Sequence, residues 1–371
     1  MDLRYNAEQD AFRASLRGFL ADQAPPSRVR EAAAADGHDR TLWHRLCSEL
    51  ELPALHAPQE YGGTGATLAE TAIVFGELGR ALTAVPFAAT TFAIDAILRA
   101  GDDEQCKRLL AGLVSGDRIG ALAASGPDPF AATVRAQRLD GRVVLTGECT
   151  PVLHGHVADV FVVPAVSAVQ DEPDGQESRV VLHVVAACDP GVAVVPLRSF
   201  DATRPVAKLQ LAQAPAEALT AGSPDHLERL FDVARVLLAA EMLGGAEACL
   251  DLAVAYARSR KQFERPIGSF QAVKHLCADM MIELDATRAA VLFAAMSAAN
   301  GDELRITAPL AKAQAADTYV LCAGSAIQVH GGIAFTWQHD LHLYFRRAKT
   351  TEALFGSTAC HRALLADRAG L

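Results

Sequence analysis

The stretch "YARSRKQFERPIGSFQAVKH", residues 256–275, interrupts the most regular helical periodicity of the chain. A helix ends through Arg258, Arg260 and Lys261; Gln262 and Phe263 follow, Pro266 to Gly268 break the backbone, and a new helix starts at Ser269. Cations at a helix C-terminus complement its dipole, which is one sufficient reason for them to be there. An arginine, an amide and an aromatic on one turn also suit a pyrophosphate and a flat ring, because guanidinium pairs bidentately with phosphate.

Working outward, the helical period runs through roughly 225–259, 270–299, 303–328 and 338–368, the last broken near Gly356. Helices of this length with charges on one stripe pack as a bundle. Upstream the period changes. From about 119 to 222, "RVVLTGE", "ADVFVVPAV", "RVVLHVVAA" and "GVAVVPL" are β-branched runs separated by Gly, Pro and Asp, which reads as a small β domain. Its polar segment 167–179 reads as an exposed hairpin loop. Residues 6 to 118 return to helix, with Phe12, Leu16, Phe19 and Leu20 on one face and similar periods at 66–82 and 89–115. Between them Pro53, Pro58, Gly62, Gly63 and Gly65 force a shaped loop, which serves either a ligand or neighbouring domain, or simply as a connector. The expected fold is therefore α+β: an N-terminal helical domain (1–118), a middle β-barrel or sandwich (119–222) and a C-terminal four-helix bundle (223–371).

Composition narrows the function classes. With 371 residues, 51% hydrophobic and 21% charged, the chain can bury a large core. A net charge of -10 argues against nonspecific binding to nucleic acid or to an anionic membrane, and no 18-residue apolar run suggests a membrane span. The N-terminus lacks the apolar core of a secretory signal, so a cytoplasmic protein is expected. Eight cysteines without a C-x-x-C pair fit reduced, packed thiols better than zinc sites or disulfides.

A second informative segment is "AIQVHGGIAFTWQHDLHLYFRRAK", 326–349, where Gln328 ends a helix and Gly331–Gly332 lets the backbone close tightly. A Gly-Gly turn alone is more often a helix C-cap than a ligand cradle. Taken with residues 260–267, however, it resembles the acyl-CoA dehydrogenase family, whose bundle carries an R-x-Q-F-G-x-P-I segment and a Q-x-x-G-G-x-G turn. "APQEYGG", "LTGECTPVLHGHVADVFVVPA", "FDATRPVAKL" and "AAEMLGGAEACLDLAVAYA" extend the resemblance over essentially the whole chain. It implies an FAD enzyme that converts an acyl-CoA thioester to its trans-2,3-enoyl form, with a base for the acidified α-proton and a flavin to take hydride from the β-carbon. By the same resemblance Arg260, Gln262 and Phe263 reach FAD across a subunit interface and Gln328, Gly331 and Gly332 contact it too. That implies a dimer or dimer of dimers, an acyl-CoA substrate, and an electron-transfer flavoprotein or similar acceptor.

Several positions depart from the family. Glu264 replaces the glycine after Gln-Phe, Ala334 the third glycine of the later turn, and "ALAASGPDPF" and "PVLHGH" stand where flavin-covering segments are usual. The usual base position holds Phe355, and the position used by a second subset, on the long helix, is Ala234. Neither can take a proton. Glu241 lies seven residues beyond Ala234, about two turns along nearly the same face, in a run from Val233 to Gly245 whose only other charge is Arg235. Desolvation there would raise a carboxyl pKa toward the range of a general base, so Glu241 is the candidate base. The competing reading is an acid satisfied by an arginine or a backbone group.

Other candidates read as structural. Glu352 suits a surface helix, and Asp340 a pairing with Arg346 or Arg347 or a helix cap. His330, His339 and His342 lack the spacing of a metal site. The motif wording is closest to actinobacterial members that work as α2β2 heterotetramers on CoA esters with bulky, steroid-like acyl groups. Two alternatives stay open: a non-catalytic partner subunit of such an assembly, and an oxidase or monooxygenase on the same fold.

Overall fold

A computed structural model describes residues 4–124, 126–167, 179–301 and 303–371. Helices flank a strand-bearing middle, as the change of period predicts. Helix α1 (Ala7–Gln23) opens on a capping box in which Asn6 and Gln9 satisfy each other's backbone N–H. Helix α2 (Pro26–Ala34) carries proline at its first position, where no intrahelical N–H is needed. Next come α3 (Arg40–Ser48) and α4 (Leu68–Arg80). The single periodic stretch expected over 89–115 is two helices, α5 (Phe87–Ala100) and α6 (Asp103–Val114). A second capping box, Asp102 with Gln105, starts a new helix where Gly101 ends the old one.

The middle segment supplies β1 (Gly120–Leu122), β2 (Val134–Leu139), β3 (Arg142–Leu153), β4 (Val160–Ser167), β5 (Arg179–Ala186), β6 (Val192–Leu197), β7 (Val206–Pro215) and β8 (Glu217–Ala218). They form one eight-stranded sheet in the order β6-β7-β3-β2-β4-β5-β8, with β1 also on β4. The β1–β4 and β2–β4 pairs are parallel and the rest antiparallel. Strand β4 is buried from Val160 to Ala165, which explains its unbroken apolar run. Apart from its two end residues, the loop expected over 167–179 lies outside the described residues.

The C-terminal part comprises α7 (Pro224–Ser259), the two-residue strands β9 (Lys261–Gln262) and β10 (Arg265–Pro266), α8 (Gln271–Asn300), α9 (Leu304–His330), α10 (Leu341–Ala353) and α11 (Thr358–Arg368). The expected break near Gly356 separates α10 from α11, with Phe355 and Gly356 both at positive φ.

The chain packs into two compact units. One comprises Met1–Ala35, Leu68–Ala84 and Asp232–Leu371. In it α4 and α7 cross with almost no side chain between them: a Cβ on Gly244 would lie 1.8 Å from the Gly76 carbonyl oxygen. A Cβ on Gly245 would lie 2.4 Å from the ring of Tyr319 on α9. Glycine is thus required at both positions by close approach, not by backbone conformation. Beside this crossing, buried Glu77 on α4 accepts from Arg13 and Arg17 on α1 at 2.7–2.8 Å, and Glu247 on α7 bridges Arg13 and Arg288.

The second unit, Asp36–Thr67 with Val85–Phe231, holds the sheet, with α5 buried from Phe87 through Ile97. The shaped loop expected around residues 53–65 is here two 3-10 turns. A Cβ on Gly63 would lie 1.9 Å from the Ala57 carbonyl oxygen, and with Tyr61, Lys107 and Ala111 the loop lines a cavity of about 760 Å³.

Candidate active site

The segment 260–267 folds as a minimal hairpin. Gln262 pairs with Arg265 and Lys261 with Pro266, leaving a two-residue loop, Phe263–Glu264. Both loop residues have positive φ, 52° and 63°, the conformation of a type I′ turn that suits the twist of paired strands. The Ile267 N–H donates to the Arg260 carbonyl at 2.8 Å and closes the base of the hairpin. The turn lifts Phe263 into solvent, 85% exposed, while Arg265 stacks over Phe270 at 4.2 Å.

The second segment sits beside the first. Helix α9 ends at His330, whose ring stacks on Tyr256 of α7 at 4.2 Å, so the C-terminal ends of α7 and α9 lie side by side. Beyond it Gly331 takes a φ of 65° and its N–H donates to Ile327, so it caps the helix as a Gly-Gly turn commonly does. A 3-10 turn, Gly331–Phe335, then presents Phe335 and, further on, Trp337, 79% and 68% exposed. The structure therefore brings Arg260, Gln262 and Phe263 to the same end of the unit as Gln328, Gly331 and Gly332.

These residues fit the cofactor that the resemblance implies. Among the described residues the side chains of Arg260 and Lys261 make no hydrogen bond or ion pair, which leaves their charge available to a diphosphate. A Cβ on Gly331 or Gly332 would meet nothing within 4 Å, so a ligand has open access to that backbone. Phe263, Phe335 and Trp337 supply uncovered aromatic surface beside it.

Glu241 lies elsewhere. It is 18 residues, about 27 Å of helix, before the end of α7. It is buried, 4% exposed, and it is not alone: Arg347 Nη1 of α10 donates to Glu241 Oε1 at 2.6 Å, and that guanidinium is buried too. This is the arginine that the competing reading of Glu241 called for, and its charge arrives from 106 positions downstream. Gly79 of α4 packs directly on the Glu241 backbone and Cγ, where a Cβ would come within 2.3 Å of the carbonyl oxygen.

Ala234 and Phe355, the residues the resemblance aligns with the family's base positions, are both fully buried. Buried Lys312 Nζ on α9 donates to the carbonyls of Thr351 at 2.9 Å and Glu352 at 3.3 Å, holding the end of α10. Nearby, Asp232 accepts from Arg235 and Arg368 at 2.7–2.9 Å, and burial with Lys312 and Arg235 pushes His361 down to about 3.

The remaining candidates have structural partners. Asp340 precedes α10 without a side-chain cap bond and pairs with Arg30 of α2, not with Arg346 or Arg347. Glu352 pairs with Lys349 at 2.6 Å. His339 packs edge-on to His330 at 4.7 Å. Sequence reasoning missed Arg30 and Lys312 and paired Arg347 with Asp340 instead of Glu241, because these partners lie far along the chain.

Comparison with known proteins agrees with this geometry. The acyl-CoA dehydrogenase N-terminal domain matches residues 6–117 and the C-terminal domain of the same family matches 222–370. The acyl-CoA dehydrogenase IpdE2 of Mycobacterium tuberculosis is 38% identical over 351 residues, 94% of this chain and 93% of that protein. Among solved structures, the ChsE4-ChsE5 complex of Mycobacterium tuberculosis matches with a TM-score of 0.90 and 32% identity, covering all of both chains. The Tcur3481-Tcur3483 steroid ACAD matches at 0.87 and 29%, covering 98% of each. The chain thus belongs to the acyl-CoA dehydrogenase family, the FAD-dependent oxidoreductases that act on the CH–CH bond of acyl-CoA thioesters.

Proposed function

We propose that this chain is the partner subunit of a heteromeric acyl-CoA dehydrogenase that acts on CoA thioesters with bulky, steroid-derived acyl groups, and that the catalytic base comes from the second chain. One observation supports the reading: Phe355 and Ala234, which the resemblance aligns with the family's base positions, are buried apolar residues, and the acids close to them in sequence, Asp232, Glu241 and Glu352, are each engaged by cations, Arg235 with Arg368, Arg347 and Lys349. FAD, when bound, supplies the hydride acceptor for the β-carbon. This chain's contribution is binding: Arg260 and Lys261 offer charge to the diphosphate, Gln262 and Gln328 offer amides, Phe263 offers a ring, and Gly331 and Gly332 offer open backbone. The substrate class is supported by the likeness to the Tcur3481-Tcur3483 steroid ACAD and the two-chain assembly by that to the ChsE4-ChsE5 complex; the α2β2 stoichiometry and an electron-transfer flavoprotein or equivalent acceptor are part of the same proposal.

A second reading keeps Glu241 as the base, favoured by its burial on α7 two turns beyond Ala234. Glu241→Gln in the assembled protein separates the two. In the partner-subunit reading it leaves α-proton exchange of a bound acyl-CoA within a few-fold of the parent and lowers stability instead. In the other it abolishes exchange while FAD stays bound. The companion experiment purifies the chain alone and with its partner. A colourless chain that turns yellow only in the assembly supports the partner role, and a yellow chain that dehydrogenates acyl-CoA by itself ends it.

A further inference from the structure

We propose that Arg30 is a positioning residue for the cofactor: it fixes the 331–340 segment whose glycines and aromatics form half of the binding surface. The inference rests on the cofactor reading above. Arg30 lies on α2, more than 300 positions from its partners, yet its guanidinium engages three groups of the segment, on residues 337, 338 and 340. Nη1 donates to the Trp337 carbonyl, Nη2 to the Gln338 carbonyl at 2.9 Å, and Nε to Asp340 Oδ1 at 2.9 Å. The planar fork of arginine is suited to this task, since its donors reach two carbonyls and a carboxylate without rearrangement.

The attachment of α2 makes the clamp rigid. Adjacent Val29 packs with Leu82 and with Leu343 of α10 in a small buried cluster, with Tyr344 against it. The Tyr344 hydroxyl donates to the Arg80 carbonyl at 2.7 Å, tying α10 to the end of α4. Within the segment itself order is local: Thr336 Oγ1 donates to the Ile333 carbonyl at 2.8 Å, and Trp337 lies under Arg346 at 4.6 Å and edge-on to His342. Exposed Trp337 carries one of the clamped carbonyls and exposed Phe335 lies two residues before it, so releasing the clamp frees the aromatic surface and the glycine turn together.

The test titrates FAD into the apo form of the protein co-purified with its partner and follows flavin fluorescence. Arg30→Ala should raise the FAD Kd about tenfold or more, since it removes charge-assisted bonds that hold the surface in shape. Arg30→Lys should recover part of the loss by pairing with Asp340 while lacking the carbonyl fork. Amide hydrogen exchange should rise within 331–340, with the thermal midpoint of the apoprotein little changed. Should Arg30→Ala fail to fold, Asp340→Asn carries the test, because it removes the carboxylate end of the clamp from outside α2. A Kd within twofold of the parent in these variants, while Arg260→Ala weakens FAD, overturns the clamp. A Kd unmoved by Arg260→Ala overturns the cofactor reading, and the clamp with it.

Discussion

The two ends of the long helix α7 have opposite character. Around Ser259 the unit is open: an exposed hairpin, free guanidinium and ammonium groups, and glycines facing empty space. Around Glu241 it is closed: backbones in contact at Gly244 and Gly76, a buried ion pair, and the buried apolar side chains of Ala234 and Phe355. The features that would hold a cofactor persist where they cost little stability. In the partner-subunit reading, the proton-accepting positions have been replaced by core. A chain that binds part of a shared site without performing its proton transfer needs this combination.

The harshest way to break the contrast is to open its closed end. Arg347→Ala strands the Glu241 carboxylate in a buried site and should cost about 3–5 kcal/mol of unfolding free energy, read from denaturant midpoints. Replacing both partners with apolar residues, Glu241→Leu with Arg347→Met, should restore most of that loss, because two compensated charges leave together. A double variant as unstable as the single one would mean that Glu241 has a duty other than pairing. FAD affinity of the assembly should follow neither change, since the pair stands about 27 Å of helix from the hairpin.

A second probe uses protons. His361, 1% exposed, is held neutral by burial and by Lys312 and Arg235, which push it down to about 3 from the ordinary 6.5. Below pH 6.5 the unfolded chain therefore takes up a proton that the folded chain refuses, and stability falls with pH over the window from about 6.5 to about 3. His361→Asn, which keeps a donor for the Gly356 carbonyl, should flatten that slope in thermal midpoints measured between pH 7 and 4. An unchanged slope would place the acid sensitivity elsewhere, for example at His38 of the other unit, which burial and Arg40 push down to about 4.

How much of this was legible beforehand follows from distance along the chain. The helix, sheet, helix order was readable because hydrophobic period is local, and the interruption at 260–268 because Pro266 and Gly268 break the helix locally, although the hairpin that fills it was not legible. The split of α5 from α6 was also written locally, in Asp102 and Gln105, but apolar periods on both sides hid it. Arg347 opposite Glu241 and Arg30 opposite Asp340 are separated by 106 and 310 positions, and no periodicity relates them. The sequence left open whether Glu241 is a base or an acid satisfied by an arginine, and could not name Arg347 for that reason. An acid in an apolar helix states a need for a partner without saying which residue meets it.

The mildest probe acts on the open end. Phe263 and Glu264 both hold positive φ, and a left-handed conformation costs a non-glycine residue roughly 1–2 kcal/mol. Glu264 stands where the family has glycine, so Glu264→Gly removes one such cost and replaces it with the smaller loss of chain entropy that glycine brings. The net gain should be about 0.5–1 kcal/mol in the denaturant midpoint. If the register of Gln262 with Arg265 fixes the hairpin's shape, FAD affinity should stay the same in this variant. A gain in stability joined to weaker FAD binding would show instead that the strained Glu264 geometry is what aims Phe263 at the cofactor, and that the open end stores strain for binding as the closed end stores charge for folding.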